Sequence, residues 1–404
     1  MQDKPLHILQ VCFRMPYPLR DGGAIAMYNL MKGFYEHGCK LTLLVPITSK
    51  HCVEVSDLPP EFTKMANIYT VRINTKITVW GAFKNLFTNE AYYLSRYFDQ
   101  HFNDKLIELL KTNTFDIVQI ESLKMVGYLK TIRENSTAKV VMRSHNIEFR
   151  IWQRMAESTT NRLKKWYLNI QVPRIRKKET GTLNDFDALV PITEVDGKFF
   201  KEAGCAKPVF PTQAGFYLNT IKPRNTEIEP NSLFHIGALD WMPNLDAVRW
   251  FIKSCWPLIC EKNPKVKFYV AGKNTPDEIR KYSRENVIFT GEVENAADFM
   301  NSKQIMVVPL LSGSGMRIKI VEGMALGKII ISTTIGAEGI GCQNNVNILI
   351  ADTEEEFAEN VVKVINDENF AAQISRNALA FVRENFDNHL ISERLISNYR
   401  QLLT

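Results

Sequence analysis

Short apolar runs of strand length recur along the whole chain, and nearly every one is followed by a turn signal and then a stretch of helical period. Leu6–Phe13 (LHILQVCF), Cys39–Pro46 (CKLTLLVP), Ile68–Ile73, Asp116–Ile120, Lys139–Met142, Phe186–Ile192 and Lys207–Phe210 are the runs of the first half. Ser232–Ile236, Val266–Val270, Val287–Phe289, Ile305–Val308, Lys328–Ser332 and Ile348–Ile350 repeat the pattern in the second. Unbroken apolar strands are those of a parallel sheet buried on both faces, and the intervening helices supply the covering layers. The fold class is therefore α/β.

A chain of 404 residues is too long for one ordinary domain. The polar, turn-rich stretch 212–231, with its two prolines, divides a first domain, 1–211, from a second, 232–387. From Thr353 onward the pattern is helical to the end. The expected site lies in the cleft facing both domains.

The stretch Pro309–Gly327 (PLLSGSGMRIKIVEGMALG) carries the strongest local chemistry. It reads as the end of a buried strand, a glycine-rich loop and a helix bearing Arg317, Lys319 and Glu322. Glycine lets a ligand approach the backbone, and the first helical N–H groups have no partner within the helix, so this order of elements receives an anion. Arg317 and Lys319 read either as cations for that anion or as surface charges. In the first half, a loop rich in Pro and Gly ends in Gly22 and Gly23, ahead of a helix read as Ala24–His37. The glycine pair is either a second anion-binding turn or simply a tight turn. It lacks the GxGxxG spacing of a dinucleotide site. His145 follows the strand KVVMR, at the end where ligands of open α/β sheets bind. It suits either a substrate hydroxyl or a neighbouring loop.

Two further segments read both ways. The aromatic-rich stretch 75–100 (Trp80, Phe83, Phe87, Tyr92, Tyr93, Tyr97, Phe98) is a satellite core or a substrate-facing flap. Residues 149–180 form a basic helical segment with Leu163, Trp166, Tyr167 and Ile170 on one face, and Pro173 is expected to break or kink it. That face either packs on the domain or rests on an anionic membrane surface.

Composition removes other classes. A chain that is 45% hydrophobic and 23% charged is neither disordered nor fibrous. No apolar run reaches the roughly 18–20 residues of a membrane span, and the N-terminus does not read as a signal segment. Seven scattered cysteines without a CxxC read as reduced thiols of a cytoplasmic protein, with no metal spacing. Residues 1–210 hold 30 Lys and Arg against 21 Asp and Glu, whereas 211–404 hold 20 against 23. A basic first half suits an anionic partner, a membrane surface or a phosphorylated acceptor. No nucleic-acid motif accompanies it, so nucleic acid is not an expected partner. HExxH, GxSxG and P-loop patterns are absent, which removes support for zinc, serine-nucleophile and P-loop NTPase chemistry.

Taken together, PLLSGSGMRIKIVEGMALGKIIISTTIGAEGI, GALDWMPNLDAVRWF, KFYVAGKNTP, VIFTGEV, the Pro…Gly-Gly loop and His145-Asn146-x-Glu148 resemble the family-4 retaining glycosyltransferases (glycosyl transferases group 1) nearly end to end. The resemblance implies a GT-B fold, two Rossmann-like domains with parallel sheets facing across a cleft. The first domain would take the acceptor and the second a UDP- or GDP-sugar donor, with 388–404 returning to the first. It implies transfer to a glycan or lipid-linked acceptor in surface polysaccharide synthesis, in the cytoplasm or peripherally on the inner face of the membrane. The nucleotide sugar would be a co-substrate, with no cofactor and no metal.

By residue, the resemblance implies that Glu322 accepts from the donor ribose hydroxyls and that Gly22 and Gly23 approach the diphosphate. Gly313, Ser314, Gly315 and Met316 would surround sugar and diphosphate, the loop with Gly291 and Val293 would lie beside the base, and His145 would lie near the transferred sugar. Two features depart from the family. Ser314 stands eight residues before Glu322, where the family has a carboxylate. Asp240-Trp241-Met242-Pro243-Asn244 stands where the family has an Arg and a Lys-Gly, so Arg317 and Lys319 are expected to supply that charge. A GT-B epimerase and a catalytically silent GT-B binding subunit remain as alternatives.

Overall fold

A computed structural model describes residues 4–19, 22–218, 227–313 and 316–404. The chain divides into two compact units, Met1–Phe216 with Asn388–Thr404, and Tyr217–Asp387.

The first unit is built on six strands, β1 (His7–Cys12), β2 (Lys40–Ile47), β3 (Asn67–Arg72), β4 (Ile117–Glu121), β5 (Lys139–Ser144) and β6 (Ala188–Pro191). They pair in parallel in the order β3-β2-β1-β4-β5-β6. Because side chains alternate along a strand, Leu9 and Val11 of β1 enter one apolar core with Val118, Ile120, Phe102 and Leu106. Ile8 enters the other, with Leu43, Val45, Phe34 and Leu395. Both faces are therefore covered, as the unbroken apolar runs require.

Several expectations are corrected here. The first helix begins at Gly22, so Gly22 and Gly23 form its first turn and not a loop ahead of it. The basic segment is two helices, Glu148–Ser158 and Arg162–Gly181, and the second passes through Pro173 without ending. Pro173 and Asn169, whose carbonyl loses its donor, both lie on the exposed side, where water replaces the missing bond. That helix buries Leu168, Gln171, Ile175 and Glu179, while Leu163 and Trp166 of the expected packing face are 81% and 54% exposed. The aromatic stretch is not one satellite core either. Tyr93 and Tyr97 pack on the core, but Trp80, Phe83, Phe87 and Phe98 are exposed. Lys207–Phe210 forms only a bridge from Val209 to Leu189.

The second unit repeats the plan with β7 (Glu229–Ile236), β8 (Lys267–Ala271), β9 (Val287–Gly291), β10 (Lys303–Val308), β11 (Ile329–Ser332) and β12 (Leu349–Ile350). The order is β12-β11-β10-β7-β8-β9, again parallel throughout. β7 begins inside the stretch read as a linker. Its core gathers Leu233, Phe251, Trp256, Phe268, Val307 and Phe357, with the covering helices on both sides. All seven cysteines are free thiols. Among the described residues, no helix is long and apolar enough to cross a membrane, and no group of three or more metal-ligating side chains occurs.

Candidate functional site

In the first sheet the direction of strand succession reverses at β1 and β4, and in open parallel sheets such a reversal leaves a crevice at the carboxyl ends. Cys12, Glu121 and Arg143 stand side by side there across β1, β4 and β5. Glu121 and Arg143 are fully buried, with Arg143 Nε 3.9 Å from Glu121 Oε2. The guanidinium nitrogens have no hydrogen-bond partner among the described residues. The other contacts of Glu121 are polar on every side. Its Oε2 lies 2.9 Å from His145 Nε2, and its Oε1 accepts from Gln10 at 3.2 Å and from Gln119. Tyr399 donates in turn to Gln119 Oε1 at 2.5 Å.

Burial alone would raise the Glu121 carboxyl. The hydrogen bond and charge of His145, with Arg143 and Gln119, outweigh it and hold the group below its ordinary value. An ionised carboxylate only accepts, so Nε2 of His145 carries the proton, and Nδ1 of the neutral ring keeps a lone pair. Nδ1 is buried and has no partner among the described residues. His145 is thus held in one orientation by a carboxylate from the next strand. Neither Glu121 nor Arg143 was singled out by sequence reasoning, because IVQIE and KVVMR read as ordinary buried strands.

The rest of the His-Asn-x-Glu stretch is used for construction. Ser144 Oγ donates to Asn146 O at 2.8 Å. Glu148 accepts from Tyr93 Oη at 3.1 Å. The backbone N–H groups of Glu148 and Phe149, which open the helix Glu148–Ser158, donate to Glu179 at 2.8 and 3.1 Å. Burial raises the Glu179 carboxyl to about 7, against those two bonds and with Glu148 and Asp196 adding to the rise. At the end of β4, Ser122 takes φ 122° and ψ 149°, a region otherwise left to glycine, and its Oγ accepts from Lys124 N–H. Sequence reasoning gave no hint of this turn.

The second sheet reverses at β7 and β10, and the glycine-rich stretch leaves β10 there. Thr333 Oγ1 donates to Leu310 O at 2.6 Å and anchors the start of that loop. Gly313 has φ +128°, and a Cβ on it would sit 3.0 Å from Arg317 Nη2 and 3.4 Å from Trp241 Cη2. Only glycine fits both the backbone angle and the space. Arg317 caps the helix Ile318–Ala325 and folds back onto Gly313, beside Trp241 from the turn after β7. Ser314 and Gly315 lie outside the described residues; Met316 is half-buried.

Glu322 stands one turn into that helix, half-buried, with no hydrogen-bond partner recorded among the described residues. Burial raises its carboxyl and Lys319 partly offsets this. The structure therefore groups Gly313, Arg317, Lys319 and Glu322 on one loop and helix. Gly291 ends β9 in the left-handed region, two strands from β7, and half-buried Val293 follows it. Beneath the loop, His235 is buried and accepts or donates at Val307 O, 3.0 Å away. Burial lowers it to about 4, with Lys319 adding to the effect against the bond to Val307, so the ring is neutral.

Residues 230–367 match the family described as Glycosyl transferases group 1. A Klebsiella pneumoniae protein described as an uncharacterized 44.6 kDa protein in the cps region is 23% identical over 395 residues, spanning 94% of this chain and 96% of that one. Among solved structures, Anabaena Alr3699/HepE in complex with UDP and glucose aligns over 98% of this chain and all of its own, with a TM-score of 0.64 at 13% identity. Sucrose-phosphate synthase of Thermosynechococcus elongatus aligns over 98% of this chain and 99% of its own, with a TM-score of 0.68 at 14% identity. The shared architecture is the α/β fold of GT-B glycosyltransferases.

Proposed function

We propose that this chain, which belongs to the glycosyl transferases group 1 through residues 230–367, is a retaining glycosyltransferase that moves a sugar from a nucleotide-diphosphate sugar to a glycan or lipid-linked acceptor. The observation that carries the reading is Glu322, a half-buried carboxylate without a recorded hydrogen-bond partner among the described residues, on the helix that leaves the glycine loop. A carboxylate so placed suits two vicinal hydroxyls, those of a donor ribose. Arg317, Lys319 and the helix-end amides next to it suit a diphosphate, whose charge grows as it leaves.

In the reaction, the bond from the sugar C1 to the diphosphate oxygen breaks with its electron pair going to the diphosphate. The acceptor hydroxyl forms the new C1–O bond on the same face, and its proton passes to the departing phosphate oxygen. Gly22 and Gly23, in the first turn of their helix, present amides to the diphosphate. Gly313, Ser314, Gly315 and Met316 surround sugar and diphosphate, and the loop of Gly291 and Val293 takes the base. His145, oriented by Glu121, accepts a sugar hydroxyl at Nδ1. No protein nucleophile and no metal is assigned; activity is expected to survive EDTA.

The relative from a cps region favours surface polysaccharide synthesis, and the Anabaena complex favours a UDP-sugar over a GDP-sugar. We place the enzyme in the cytoplasm, in peripheral contact with the inner membrane face. A panel of UDP- and GDP-sugars tests the reading by thermal shift and by turnover. One donor is expected to raise the melting temperature and to give product or slow hydrolysis with the anomeric configuration kept. A panel without any shift or turnover, or the release of free epimer, rejects it.

A further inference from the structure

The carboxyl edge of the first sheet holds a cluster that the donor chemistry does not use. Lys124, two residues beyond the strained Ser122, lies 4.1 Å from the ring centre of Phe13, and Tyr93 and Tyr97 lie 5.6 and 5.8 Å from the same ammonium. Arg14 lies over the other ring contact of Phe13 at 5.3 Å, and Arg96 lies 5.4 Å from the Tyr92 ring. The Phe13 ring meets the His145 ring edge-on at 6.0 Å, so this cage adjoins the candidate catalytic histidine.

The charges in the cage are unbalanced. Burial lowers the Lys124 ammonium; Glu148 opposes this, and Arg14, Lys50 and Arg96 reinforce it. Those are four cations facing one carboxylate, which itself accepts from Tyr93. Lys50 follows β2 and is exposed, Arg14 follows β1, and Lys124 follows β4, so three strand ends converge on it. Like charges held together beneath aromatic rings are unfavourable until an anion joins them. A single carboxylate or phosphodiester leaves most of the excess in place, whereas a diphosphate diester brings two negative charges.

The same scaffold carries an apolar surface. The helix Val79–Leu86 leaves Val79 90% and Trp80 64% exposed, and Phe87 just beyond it is 79% exposed. Asn85 of that helix accepts from Gln171 Nε2 at 2.8 Å, and the Tyr92 N–H donates to Gln171 Oε1 at 2.9 Å. Gln171 belongs to the helix that exposes Leu163 and Trp166. Cage and apolar surface are thus tied through one glutamine.

We propose that Arg14, Lys50, Arg96 and Lys124 form a subsite for the diphosphate of a lipid-linked sugar acceptor, whose chain lies on the apolar surface beside it. This rests on the glycosyltransferase reading and names its acceptor class.

The test titrates the full chain with farnesyl diphosphate, inorganic pyrophosphate, farnesol, methyl glucuronide, UDP and GDP. Farnesyl diphosphate is expected to bind more tightly than pyrophosphate, and farnesol and glucuronide not to bind. Lys124→Met is expected to weaken farnesyl diphosphate on the order of tenfold or more, to leave UDP or GDP binding unchanged, and to be rescued in part by Lys124→Arg. Lys50→Gln, at an exposed position, should weaken it in the same direction without touching the fold. Equal binding of farnesyl diphosphate to the parent and both variants overturns the proposal, as does glucuronide binding in its place. Loss of UDP or GDP affinity in Lys124→Met also overturns it, because the cluster then serves the donor. Failure of both nucleotides to bind the parent chain strikes the donor reading instead, and the farnesyl diphosphate titration reports on the subsite independently.

Discussion

Replacing Glu121 by Gln tests the buried centre of the first unit. Arg143 is fully buried, and Glu121, 3.9 Å away, is the acidic group that faces it. Gln keeps the shape and an oxygen for Gln10 and Gln119, but it removes the charge. Leaving one member of a buried ion pair uncompensated costs about 3–5 kcal/mol, a large part of the roughly 5–15 kcal/mol that holds a domain folded. Arg143→Met alone leaves a buried carboxylate that still has His145 and two amides, so its cost should be smaller. In the double variant neither charge remains, and the coupling should return about 2 kcal/mol or more. Tryptophans lie in both units, at 80, 152 and 166 in one and 241, 250 and 256 in the other, so fluorescence would mix their transitions. Hydrogen exchange at the β4 and β5 amides isolates the first unit. An amide at position 121 also reverses the hydrogen bond to His145 and leaves Nδ1 protonated. kcat/KM should then fall by roughly tenfold to a hundredfold, the worth of a lost polar contact in the transition state. A cost below about 1 kcal/mol, or a double variant equal to the sum of the singles, would refute the argument from an uncompensated charge.

Three other outcomes are expected. Arg317→Ala with Lys319→Ala should weaken nucleoside diphosphate binding by on the order of tenfold to a hundredfold while the nucleoside alone binds as before; unchanged affinity in calorimetry rejects their phosphate role. Glu179 rises from 4.5 to about 7 on folding, so the native state keeps a proton that the unfolded chain releases. Its contribution is full below about pH 4.5 and is lost as pH rises toward 7, about 3 kcal/mol in all, and Glu179→Gln should flatten urea midpoints across that window. Finally, Trp80→Ser with Trp166→Ser should abolish sedimentation with phosphatidylglycerol vesicles, and a parent chain that ignores such vesicles refutes the membrane contact.

The sheets were legible because their strands are apolar on both faces, and each strand was placed to within a few residues. Helix faces were less so. Leu163 and Trp166 look like a packing face, but the helix instead buries Gln171 and Glu179, whose polar atoms are satisfied by Asn85, Tyr92 and the first amides of Glu148–Ser158. Such burial depends on partners far away in sequence. The glycine loop and Glu322 could be found locally, since one strand, loop and helix contain them all. Glu121 could not, because its meaning comes from lying across from Arg143 in register and within reach of His145 on the adjoining strand. Lys124 was invisible for the same reason, its aromatic neighbours coming from three separate connections.

The last helix, Asn388–Leu403, bears on how the chain is made. Asn388 bonds Phe216 and Asn29, and Gly33 leaves just enough room for Ser392, whose Oγ would otherwise lie 1.9 Å from a Cβ. Leu395, Ile396 and Tyr399 close one of the two cores of the first unit, and Tyr399 holds Gln119 behind Glu121. On a ribosome, the first 216 residues emerge long before these. Until synthesis ends, the nascent first unit lacks one wall of its core and the outermost bond behind its histidine. A message cut short even one helix from its end would yield a nearly full-length polypeptide with an exposed apolar face, a substrate for proteases before it is an enzyme.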